Sequence, residues 1–150
     1  KITLYNCALD KEIRNMYLQI NKFSMTSSLA KINHESLYLK IKNFLTNSNS
    51  NFINKYPVQT STLDEVFKDF NLEKTLLKID VEGFEMNVIK GSKVKLREIP
   101  FILLENQFGS HYHDNNFDEI KEILNKENFV ILKKFVFPTM HYQDVLFKKI

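Results

Sequence analysis

Residues 76–91 read LLKIDVEGFEMNVIKG. Leu76, Leu77 and Ile79 form a short apolar run that stops at Asp80. Glu82 and Gly83 follow, and Phe84, Val88 and Ile89 then recur at helical spacing until Gly91. The pattern predicts a buried strand, an acidic turn and a helix, with Gly91 stopping the helix in a left-handed cap. Acids at the end of a buried strand have a physical use. In open parallel sheets, ligands bind outside the carboxyl ends of the strands, where loops carry polar groups on a rigid base.

Working outward, IPFILLE, residues 99–105, predicts a second buried strand that again ends in an acid, Glu105. If the two strands are neighbours, about 5 Å apart, Asp80 and Glu105 share one crevice, with Glu82 on the same rim. Thr62 followed by Glu65 is a capping box ahead of Leu63, Val66, Phe67 and Phe70 on one helical face. Asn116 with Glu119 caps another helix, whose inner face is Phe117, Ile120 and Leu124. FVILKKF at 129–135 and DVLFKKI at 144–150 predict two strands, joined through a loop with Pro138 and paired antiparallel. Strands alternating with helices point to an α/β sheet, mostly parallel, with an antiparallel last strand. Before Pro57 the pattern differs. MYLQI at 16–20 and LYLKI at 37–41 alternate at period two, so residues 12–55 read as a β-rich insertion, with 21–35 as the connection, in a single domain spanning 1–150. TNSNSN at 46–51 is the one linker-like stretch.

Composition narrows the function classes. A chain of 150 residues, 43% hydrophobic, supports one core. A net charge of +3, from 21 dispersed basic residues against 18 acidic ones, is too weak for a nucleic-acid footprint. The lone Cys7 excludes an internal disulfide and suits a reducing compartment. No apolar run reaches the roughly 20 residues of a membrane span, so a cytoplasmic location is the default expectation. Gly83, Gly91 and Gly109 are all the glycines present, and no phosphate-binding loop or dinucleotide fingerprint can be made from them. The chain opens at Lys1 inside the strand-like KITLYNCA, which suggests that the start of the natural protein is missing.

Each candidate residue has a plainer reading beside the functional one. Glu82 and Glu85 suit a helix N-terminus through the macrodipole alone. Asp80 is harder to explain so, since a carboxylate closing an apolar strand is costly to desolvate unless something binds it. Glu105 stands where a strand returns to water. In FGSHYHD, residues 108–114, His111 and His113 with Asp114 could ligate a metal or supply a base near neutral pH, although such a spacing is common in polar loops. His34 and His141 read as structural or solvated. Cys7 reads as core packing, and Ser27 and Ser28 lack a nucleophile elbow.

STLDEVFKDF, LLKIDVEGFEMNVIKGSKVKL and IPFILLEN together resemble the signature of the FkbM family of methyltransferases. The matching positions are Thr62, Leu63 and Asp64; Lys78, Ile79, Asp80, Glu82 and Gly83; Ile89 to Gly91; and Pro100 to Glu105. YNCALDKE and MTSSL are similar to family segments after the third strand and before a lengthened middle. The resemblance implies a Rossmann-like class I methyltransferase fold whose N-terminal strands, with the glycine-rich loop and the ribose-binding acid, would lie before Lys1. It also implies S-adenosylmethionine as cofactor and a small-molecule or glycan hydroxyl as methyl acceptor. Asp80 would lie near the methyl group or the acceptor, followed by Glu82 and Glu105, with His111 as an outside candidate. Asn6, Cys7, Ala8 and Leu9 would lie beside the adenine. No metal is expected for that reaction. Two other readings stay open: a magnesium-dependent hydrolase or nuclease built on Asp80, Glu82 and Glu105, and a non-catalytic remnant that associates through an exposed sheet edge.

Overall fold

The structure is a computed structural model that describes residues 2–20, 27–30, 54–107, 116–136 and 142–150. The expected strand at 37–41, the linker at 46–51 and the loop carrying His111, His113 and Asp114 lie outside these residues, as do His34, His141 and Pro138.

The strands form two mixed sheets, not the single, mostly parallel one expected from the sequence. In the first, β1 (Ala8–Leu9) pairs parallel with β3 (Asn54–Ser61), and β2 (Asn15–Ile20) pairs antiparallel with the other edge of β3. The second has the order β4 (Leu76–Ile79), β5 (Phe101–Gln107), β7 (Tyr142–Lys149), β6 (Phe129–Val136). β4 and β5 are parallel, while β7 is antiparallel to both β5 and β6. Hence β4, β5 and β6 share a direction and β7 alone opposes them from between β5 and β6. The antiparallel pairings are in the majority because the opposing strand is internal.

The helices are α1 (Leu63–Val66), α2 (Glu85–Lys90) and α3 (Phe117–Lys126), with a 3₁₀ turn at Lys95–Arg97. Both predicted caps form: the Thr62 hydroxyl accepts from Glu65 N at 3.1 Å, and the Asn116 side chain accepts from Asp118 N and Glu119 N. α1 is a single turn, so Phe70 falls beyond it and is exposed, while Leu63 and the partly buried Phe67 face the core.

The main core is one face of the second sheet. Ile102 and Leu104 of β5 stand opposite Phe147 and Val145 of β7, all four fully buried, as period-two alternation requires. Ile89, Ile120 and Leu124 cover them from the helices. A smaller cluster of Leu29, Ala30 and Phe84, with Val81 and Met16 against it, joins the first sheet to the second. Outer strand β6 carries Lys133 and Lys134, charges that discourage edge-to-edge pairing. No described helix is long and apolar enough to cross a membrane.

Four local expectations are corrected. KITLYNCA yields only the two-residue β1, and Cys7 is exposed, not packed in the core. β4 is half-buried, with Leu76 open to solvent. Gly91 ends α2 at φ −90°, not in a left-handed cap. Glycine is required there by close approach, because a Cβ would sit 2.1 Å from the Asp10 carbonyl oxygen.

Candidate active site

The rim is built by register. β4 and β5 pair through Ile79 and Leu104, so one further residue along each strand sets Asp80 beside Glu105. Across β5, Glu105 stands opposite Asp144 of β7. Strand alternation puts Lys78 with Asp80, and Glu105 with Gln107, on the sheet face away from the Ile102 and Leu104 core. Asp80, Glu82 and Glu105 each bring a carboxylate oxygen within 4.8 Å of the other two.

Two side chains hold this arrangement. Gln107 Nε2 donates to Glu82 Oε2 at 2.8 Å and lies 3.1 Å from Glu105 Oε1. Lys78 Nζ donates to Asp80 Oδ2 at 2.6 Å. Asp80 is therefore exposed and paired, and the desolvation expected of it falls on Glu105 instead. Burial pushes the Glu105 carboxyl above its ordinary range, and the charges of Asp80, Glu82 and Asp144 push the same way, against the Gln107 hydrogen bond. Lys78 is raised, chiefly by its bond to Asp80.

The turn behind the rim is strained. Glu82 has φ 51° and Gly83 φ 88°; the left-handed region is easy for glycine but costs a glutamate roughly 1 kcal/mol. Ser28 clasps the turn: its hydroxyl donates to Glu82 O at 2.7 Å and accepts from Ala30 N at 2.9 Å. Glu85, expected to act only on the helix dipole, is 1% exposed. Its Oε1 accepts from Gly83 N at 3.1 Å, with Val81 N at 3.4 Å, and its Oε2 is buried with no hydrogen-bond partner among the described residues. Burial pushes its carboxyl up to about 7.

Asp80, Glu82 and Glu105 are thus brought together. Asn6 and Cys7 are exposed, and Ala8 and Leu9 are partly buried at β1, a strand of the other sheet. His111 is outside the described residues. Sequence reasoning gave no role to the side chains of Gln107 and Lys78, although each stands two residues from a named acid, nor to Asp144, which only the strand register sets opposite Glu105, and it missed the role of Ser28, whose contact spans 54 residues.

These features define a mixed α/β protein with an acidic site at the carboxyl ends of adjacent parallel strands. The Methyltransferase FkbM domain model matches residues 3–131, and the chain belongs to that family. No curated protein and no solved structure shows a matching sequence.

Proposed function

We propose that the protein is an S-adenosylmethionine-dependent O-methyltransferase of Rossmann-like class I type, acting on a hydroxyl of a small molecule or glycan. The observation that carries this reading is the convergence of Asp80, Glu82 and Glu105 within 4.8 Å, in a chain of the FkbM methyltransferase family.

The residues fit one end of the cofactor. Its sulfonium is a cation, and an open rim of carboxylates is a favourable surface for it. Asp80 would face that end, with Asn6 to Leu9 offered to the adenine; these 150 residues contain no glycine-rich loop for the methionine portion. The cofactor supplies an activated methyl electrophile. What remains for the chain is to orient the acceptor and take its proton. Glu105 suits that step because burial and neighbouring acids raise its proton affinity, and a base poised nearer neutrality is more effective. Gln107 fixes its direction, and Asp80, anchored by Lys78, accepts a hydrogen bond from a second hydroxyl.

Calorimetric titration of S-adenosylmethionine into the protein at its gene-encoded length, followed by methyl-transfer assays, tests the reading. Glu105→Gln lowers kcat by about 10²–10³-fold with cofactor affinity nearly unchanged. Absence of cofactor binding, or full activity in Glu105→Gln, would overturn it. The same three carboxylates also suit a magnesium-dependent hydrolase. Under that second reading magnesium raises the Tm and Asp80→Ala abolishes the rise; a Tm indifferent to magnesium rejects it.

A further inference from the structure

Leu29 and Phe84, within two residues of the Ser28 to Glu82 clasp, belong with Met16 and Met86 to the apolar floor of a cleft of about 590 Å³. Its rim is polar and mainly cationic: Lys11, Arg14 and Lys90, with Asn87, Asn116 and Glu119.

One of the cations, Arg14, is anchored on a buried acid. Asp10 is fully buried and accepts from Arg14 Nε at 2.6 Å and from the Lys11 backbone N at 2.7 Å. One edge of the Arg14 guanidinium is thereby fixed, Nη1 lies 3.4 Å from Glu12, and the group keeps 38% of its side-chain exposure. A guanidinium has five N–H donors in a rigid fork, so holding Nε leaves others directed outward. Lys90 is paired to Glu119 at 2.8 Å, with both side chains well exposed. Such pairs are worth little in water and give way readily to a better anion. The N-terminal end of the ten-residue α3, at Asn116, adds its positive dipole to the same rim.

We propose that this cleft binds an amphiphilic anion: a phosphate monoester or carboxylate held by Arg14, Lys11 and Lys90, with an apolar body on Met16, Leu29 and Phe84. The site is separate from the acidic rim, and its occupancy does not depend on methyl transfer. Asp10 is a positioning residue for Arg14.

The test is an NMR titration with phenyl phosphate and with phenylacetate, using benzyl alcohol as the uncharged control. Saturable shifts at the Arg14 Nε–H and Lys11 amide signals are expected with the anions and not with the alcohol, and the tighter anion identifies the preferred head group. High salt weakens the binding. Lys90→Gln and Lys11→Gln, both at solvent-accessible positions, each weaken it about three- to tenfold, whereas Arg14→Gln also strips buried Asp10 of its partner and is read only alongside them. No saturable shift with either anion, equal shifts with benzyl alcohol, or affinity unchanged in both lysine variants would overturn the proposal.

Discussion

The two ends of α2 are held by opposite means. At the carboxyl end, Gly91 has ordinary dihedral angles, its N–H bonds back to Asn87 O and Val88 O, and its carbonyl accepts from Asp64 N at 3.2 Å. The Asp64 carboxylate then takes the N–H groups of Val94 and Lys95. At the amino end, two consecutive residues are left-handed and a buried glutamate keeps one oxygen without a partner among the described residues. One end is closed by contacts that satisfy its polar groups, and the other stores strain and a desolvated acid beside the carboxylate rim. Costs of this kind are tolerated where surrounding structure over-determines them, and they concentrate at sites of chemistry.

Three substitutions can break or sharpen that contrast. Gly91→Ala attacks the closed end. A methyl group 2.1 Å from a backbone oxygen cannot be absorbed by a side-chain rotation, so a loss of about 3 kcal/mol or more is expected in urea unfolding. A loss below about 1 kcal/mol would mean that the Asp10 loop yields and that this end is not rigid.

Glu85→Gln addresses the strained end through pH. The native carboxyl lies at about 7 against an ordinary 4.5, so burial is uncharged and harmless below about pH 4.5. Stability from this group is then lost as pH rises through 7, by roughly 3 kcal/mol over the window. Glu85→Gln removes that slope and is more stable than the parent above pH 7. Parallel stability curves for the two proteins would show that Glu85 does not carry this charge cost.

Ser28→Ala is the smallest of the three. It removes the hydroxyl that bonds the Glu82 carbonyl and the Ala30 N–H, costing about 1–2 kcal/mol in thermal unfolding. The loss should fall mainly on the acidic turn, seen as faster hydrogen exchange at Gly83 than at Leu104.

What was legible in the sequence was local or periodic. The Thr62 and Asn116 caps need only residues within three positions, and β5, α3 and the final two strands announce themselves by repeating apolar positions. Asp80 and Glu105 were legible as strand-end acids, and their adjacency followed once the strands were neighbours. β3 escaped because NKYPVQTS, with a proline and several polar residues, has no apolar signature; Thr60 is its one fully buried side chain. The roles of Glu85, Gly91 and Ser28 depend on what distant segments bring against them, and no local spacing encodes that. Asp10 is the clearest case: an acid next to Lys11 reads as surface, yet it is fully buried because Arg14 and the Ser61 carbonyl meet it there.

The position of β7 has a consequence for the order of folding. Among the described strands, β5 and β6 are joined only through β7, which follows both of them in the chain. Until residues 142–149 are in place, β5 has β4 on one side and an open edge on the other, and β6 has no sheet neighbour among the described strands. The folding chain must carry that unfilled slot until β7 inserts, an interval in which a chaperone, or a stray strand from another chain, competes for the same backbone groups.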